Sequence, residues 1–136
     1  MSERRELTFS SRIESVEEAA KEAENFARQA GLGDEYIFAI DMAVRESVAN
    51  AIKHGNRFDE SKKVKVVFEK GESSFCLYVR DFGEGFDFQH IDDPTDPANL
   101  LKANGRGILF MNTFMDEVEW SRPEGGGMAV KMLKKL

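Results

Sequence analysis

An acid, an amide and an amine stand at i, i+4 and i+7 in Glu46, Asn50 and Lys53. On a helix that spacing puts the three side chains along one face. A carboxylate placed there can act as general base on a hydroxyl or a water. An amide oxygen is a hard ligand suited to Mg²⁺, which usually borrows phosphate oxygens for its other positions. An ammonium is a point charge suited to phosphate. Ala39, Met42, Ala43 and Ala49 share the face. A solvated face, the plainer reading, would normally carry more charge than this, so the pattern suits a pocket wall. His54 follows and reads as a helix-end histidine interacting with the last carbonyls rather than as a catalytic group.

Two glycine motifs offer complementary chemistry. In Asp81-x-Gly83-x-Gly85 the glycines let the backbone turn sharply and approach a ligand closely. An aspartate at a strand end can accept a hydrogen bond from an exocyclic amine such as that of adenine. Gly105-Arg106-Gly107 precedes an apolar segment, and the N-terminal amides and dipole of a helix there would favour phosphate. Taken alone, the first motif reads more simply as a tight turn with an Asx cap, and the second is met also by a flexible hinge that starts a helix. Neither is a P-loop or a dinucleotide fingerprint, because neither required glycine string is present.

The elements that must position these residues follow from periodicity. Residues Leu7 to Ile13 alternate and predict a first strand. Ser15 with Glu18 predicts a capping box for a helix with Val16, Ala19, Ala20, Ala23, Phe26, Ala27 and Ala30 at helical spacing, ended by Gly31. Asp34 can cap a second helix running to about His54, whose core stripe is Ile37, Val44, Val48 and Ala51. Val64 to Glu69 and Phe75 to Arg80 read as a strand hairpin turning at Gly71. A long segment with Pro94 and Pro97 is followed by a helix over Ile108 to Met115. Strands Glu117 to Ser121 and Met128 to Leu133 close the chain around Gly125-Gly126-Gly127. Blocks of helices and hairpins argue for an α+β fold, with helices layered on one face of a largely antiparallel sheet.

Length and composition bound the reading. A chain of 136 residues suits one domain, residues 1–136, without room for a second. A formal net charge of -6 argues against nucleic-acid binding, which needs basic surface. The single cysteine, Cys76, cannot form an intrachain disulfide and fits a reducing compartment; within its strand it reads as a packing residue. No stretch approaches the ~20 apolar residues of a membrane span, so a cytoplasmic location is expected.

Glu46-x-x-x-Asn50-x-x-x-His54-Gly55, Asp81-x-Gly83-x-Gly85 and Gly105-x-Gly107-Ile108-x-x-Met111 form an ordered triple. It resembles the N box and two glycine boxes of the Bergerat-fold (GHKL) ATPases. Within that superfamily, the size and the string Asn50-Ala51-Ile52-Lys53-His54-Gly55 look like the anti-sigma-factor serine/threonine kinases of bacterial partner-switching systems. The resemblance implies a two-layer α/β sandwich with a mostly antiparallel mixed sheet and ATP or ADP held between the layers. It implies Glu46 as general base, Asn50 as ligand to Mg²⁺ and Asp81 as partner of the adenine amine. Gly83 and Gly85 would admit the nucleotide, and Gly105, Arg106 and Gly107 would line its phosphates. Lys53 matches a basic position of some branches, and residues about 88 to 104 would be the ATP lid. Such kinases phosphorylate a small antagonist protein and sequester a sigma factor, typically as homodimers. A non-catalytic nucleotide-binding partner switch and a switch kinase acting on an upstream scaffold are the alternatives. Met128 departs from the family's usual threonine, and a thioether cannot donate that hydroxyl's hydrogen bond.

Overall fold

Residues 3–83 and 111–136 are described by the computed structural model of the chain. Strand β1 (Glu3–Ser10) leads into helices α1 (Glu14–Gln29) and α2 (Asp34–Asn50), and α2 continues as one π-helical turn, Ala51–Gly55. Strands β2 (Lys63–Lys70) and β3 (Ser74–Arg80) form a hairpin, and so do β4 (Glu117–Ser121) and β5 (Ala129–Lys135). Residues 111–114 are helical.

The five strands lie in the order β1-β2-β3-β5-β4. Two helices between β1 and β2 turn the chain twice, so β2 returns antiparallel to β1. Every described pair is antiparallel, without the mixed pairing expected from the resemblance. The α+β expectation itself holds. Alternation along the strands sends Val64, Val66 and Phe68, then Phe75, Leu77 and Val79, then Val130 and Met132, to one face. These side chains share one core with Ala19, Ala20, Ala23, Phe26 and Ala27 of α1 and Ile37, Ile40, Val44 and Val48 of α2. The small residues on α1 admit α2 closely. Phe26, Phe68 and Phe75 then close the core at the far end of β3, with ring centroids 5.6 to 6.4 Å apart. Cys76 is half-buried on the other sheet face, where burial pushes its thiol up, as befits a packing residue.

Several local expectations are corrected. The first strand spans Glu3–Ser10 because it pairs along its whole length with β2. Its charged residues are met by opposite charges: Arg4 by Glu69, Arg5 by Glu22 and Glu6 by Lys65. The capping box does not form. A turn already closes at Arg12 and Ile13, whose carbonyls accept the Ser15 and Val16 amides, and α1 starts ahead of the serine. Ser15 Oγ is left buried without a partner. Asp34 is the first residue of α2 rather than its cap; Gly33 holds the cap position, and no side chain bonds there. Gly31 does terminate α1. With φ +82° it directs its own N–H to the Arg28 carbonyl and that of Leu32 to the Ala27 carbonyl, the pair of bonds of a Schellman motif.

Candidate functional site

The site is built where β3 ends. The β3–β5 ladder runs from Ser74↔Lys135 to Arg80↔Ala129 and is extended by the Asp81 N–H, which donates to the Met128 carbonyl at 3.0 Å. Asp81 is 4% exposed. Its Oδ1 accepts the Gly83 N–H at 3.1 Å and the Met128 N–H at 3.2 Å. Burial raises its carboxyl above the usual aspartate range, against the pull of those two amides.

Three glycines crowd this aspartate, each for a steric reason. A Cβ on Gly55 would overlap Asp81 Oδ2. One on Gly83 would overlap the Gly55 carbonyl, and one on Gly127, whose φ is +81°, the Asp81 carbonyl. The end of the π-helical turn, the loop after β3 and the residue before Met128 therefore meet at backbone contact. The π turn makes this possible. The Asn56 N–H bonds the Ala51 carbonyl and the Phe58 N–H the Ile52 carbonyl, so the last turn is wider than α-helical geometry allows. Arg80 braces the other side. Its Nη2 donates to the carbonyls of Glu124 and Gly126 at 3.2 and 2.9 Å, and its guanidinium lies 4.4 Å from the Phe82 ring centroid.

The sequence-predicted residues divide as follows. Asp81 and Gly83 are brought together, with Gly55 beside them. Glu46 and Asn50 lie half-buried one turn apart on α2, and none of Ala39, Met42, Ala43 or Ala49 is exposed. Ala43 belongs to the hydrophobic core rather than to the face with Glu46 and Asn50. Lys53 is exposed, in the widened turn after Asn50, where the helical register of i+7 no longer holds. His54 is half-buried at the helix end. Gly85, Gly105, Arg106, Gly107, the lid at about 88 to 104 and the start of the helix over Ile108 to Met115 lie outside the described residues.

Sequence reasoning missed the roles of Asn56 and Gly127. Asn56 is 2% exposed and bonds the Phe82 amide, Ser11 and the Lys63 carbonyl. Its signal, a polar residue just after a helix-ending glycine, is shared by ordinary turns. Gly127 was visible only as one of three turn glycines. Among the described residues no group of three or more His, Cys, Asp or Glu could hold a metal. Among them, too, no helix is long and apolar enough to cross a membrane.

Helices on one face of an antiparallel sheet, with a buried acid in a glycine cradle where the layers meet, make this a two-layer α+β domain. A family model described as the histidine kinase-like ATPase domain matches residues 9–134, and the chain belongs to that family. It is 33% identical over 106 residues to a protein named anti-sigma F factor from Clostridium perfringens, covering 75% of this chain and 74% of that one. It is 28% identical over 105 residues to the serine-protein kinase RsbW of Oceanobacillus iheyensis, covering 73% and 66%. The protein of that name from Listeria innocua is 28% identical over 116 residues, covering 81% and 73%.

Proposed function

We propose that the chain is an ATP-dependent serine/threonine protein kinase that acts as an anti-sigma factor. It would phosphorylate a small antagonist protein and sequester a sigma factor in turn, working as a homodimer. The names of its relatives support this reading, and one structural observation carries it: the Asp81 carboxylate in its cradle of glycines. Both backbone amides fall on Oδ1, while Oδ2 lies against Gly55. A carboxylate held this way keeps Oδ2 as the acceptor for the exocyclic amine of adenine, and the glycines let the chain close around it. The residues therefore fit the adenine end of ATP.

The remaining roles extend from there. Asn50 offers a hard amide oxygen for Mg²⁺, which when bound neutralises phosphate charge. Lys53 would meet phosphate as a point charge. Gly85, Gly105, Arg106 and Gly107 would admit the nucleotide and line its phosphates beneath the segment at about 88 to 104. In the transfer step the acceptor hydroxyl oxygen attacks the γ-phosphorus. The bond from that phosphorus to the bridging oxygen breaks, ADP leaves, and Glu46 takes the hydroxyl proton.

Glu46→Gln is the test. It should keep nucleotide affinity and slow transfer by ~10²-fold or more, the usual worth of a general base. The readout is radiolabel passing from γ-labelled ATP to an antagonist protein, with calorimetry for binding. Transfer at the wild-type rate would remove Glu46 from the mechanism. No transfer from the wild type to any antagonist, with binding intact, would favour the non-catalytic switch.

A further inference from the structure

We propose that Asn56 is a positioning residue of the base site: through the Phe82 amide it holds Asp81 in line for a nucleobase amine. The proposal rests on the base-site reading above. Three successive amides follow β3, and each has a different anchor. The Asp81 N–H donates to the Met128 carbonyl, the Gly83 N–H to Asp81 Oδ1, and the Phe82 N–H to Asn56 Oδ1 at 3.0 Å. The first two bonds stay within the sheet end and the loop itself. The third reaches across to the helical layer.

The other end of the Asn56 amide is equally fixed. Nδ2 donates to Ser11 Oγ at 2.8 Å and to the Lys63 carbonyl at 3.0 Å. The Ser11 hydroxyl donates in turn to the Lys62 carbonyl, which leaves its oxygen to accept from Asn56. A flipped amide would set NH₂ against the Phe82 N–H and oxygen against the Lys63 carbonyl, so the network allows one orientation. The end of β1, the start of β2 and the loop after β3 are therefore joined by one side chain that is 2% exposed. Asp81 also meets the π turn directly: its Oδ2 occupies the space a Cβ on Gly55 would take. Moving the Phe82 amide would swing the neighbouring aspartate relative to Gly55, and with it the oxygen offered to the base. Misplacement of the carboxylate, rather than its loss, is the expected effect of removing Asn56.

The experiment compares dissociation constants for ATP and inosine triphosphate, which carries a carbonyl where adenine carries its amine. The wild type should prefer ATP by about 10- to 150-fold, the worth of one hydrogen bond to a charged group. Asn56→Ala should lower that ratio by roughly 10-fold while inosine triphosphate affinity moves by no more than about twofold. A purely structural role would lower thermal stability, or weaken both nucleotides together, and leave the ratio unchanged; that result overturns the proposal. If Asn56→Ala does not fold, replacing Phe82 by its α-hydroxy analogue turns that one amide into an ester. Asn56 then keeps its bonds to Ser11 and Lys63, and the same loss of preference is expected; a retained ratio overturns the proposal. A wild type that binds neither nucleotide, or both alike, refutes the base-site reading and this proposal with it. A wild type that discriminates, beside altered proteins that do so equally, refutes only the role of Asn56.

Discussion

A carboxyl that is 4% exposed and bonded to two backbone amides has its charged form opposed by burial and favoured by those amides. At Asp81 burial is the larger effect, and the native state holds the proton to higher pH than the unfolded chain does. The stability this contributes is present below the unfolded carboxylate range and lost as pH rises through the native value. The charged form that binding would use is the one burial opposes. Asp81→Asn should melt no lower than the wild type at neutral pH, with any advantage shrinking as the pH falls into the carboxylate range. The same change should weaken ATP binding by about 10- to 150-fold, the worth of one charge-assisted hydrogen bond. Thermal melts across pH, with calorimetry at neutral pH, check both parts. A melting temperature several degrees lower at neutral pH would show that the two amides outweigh burial. Asp81 was legible through its place in the ordered triple of motifs, since an acid with alternating glycines after a strand is by itself met as well by a tight turn. Asn56 was not, because its partners Ser11, Lys63 and Phe82 are distant in sequence and nothing local marks them.

Elements with a strong internal period were the easiest to read. Strands β3 and β4 were legible because their alternation is complete within each segment, β2 because valines and a phenylalanine crowd one short run, and α1 because its alanines repeat at helical spacing. Elements whose limits depend on a distant partner were shifted. The charged run Glu3-Arg4-Arg5-Glu6 becomes strand only because β2 pairs with it and supplies Lys65 and Glu69. The π turn was hidden for a similar reason: its width answers to the contact of Gly55 with Asp81, not to helix propensity. Gly31 is an element-level device of the opposite kind. Its φ of +82° completes the Schellman bonds, and nothing lies near a Cβ placed there. Gly31→Ala should therefore act through the backbone alone, costing about 1–2 kcal/mol for a non-glycine residue in the left-handed region. Denaturant melts should show that loss with ATP affinity unchanged. A loss of affinity would mean that the end of α1 reports to the site.

The whole molecule separates what holds it together from what it binds. Phe75 stands second in β3 and Asp81 follows its end, so six residue steps of extended chain, roughly 20 Å, separate the aromatic cluster from the base site. Substitutions that far apart with no shared partner usually act independently. Phe75→Leu trims a fully buried ring from the contact with Phe26 and Phe68 and should destabilise the domain by about 1–3 kcal/mol. Well below the melting temperature, its ATP affinity should stay within about twofold of the wild type. Gly55→Ala is the opposite case. Its methyl group must displace Asp81 Oδ2, so the strain falls on the atom offered to the base. It should cost stability as well, but ATP affinity should fall by at least the 10-fold or so expected for a lost hydrogen bond to a charged group. Measuring melting temperature and ATP affinity for both variants places each on two independent axes. Phe75→Leu should move along the first alone and Gly55→Ala along both. If Phe75→Leu also weakened binding in proportion to its destabilisation, site and core would share one cooperative unit. Nucleotide would then be held by the rigidity of the whole domain rather than by the close contact of its glycines.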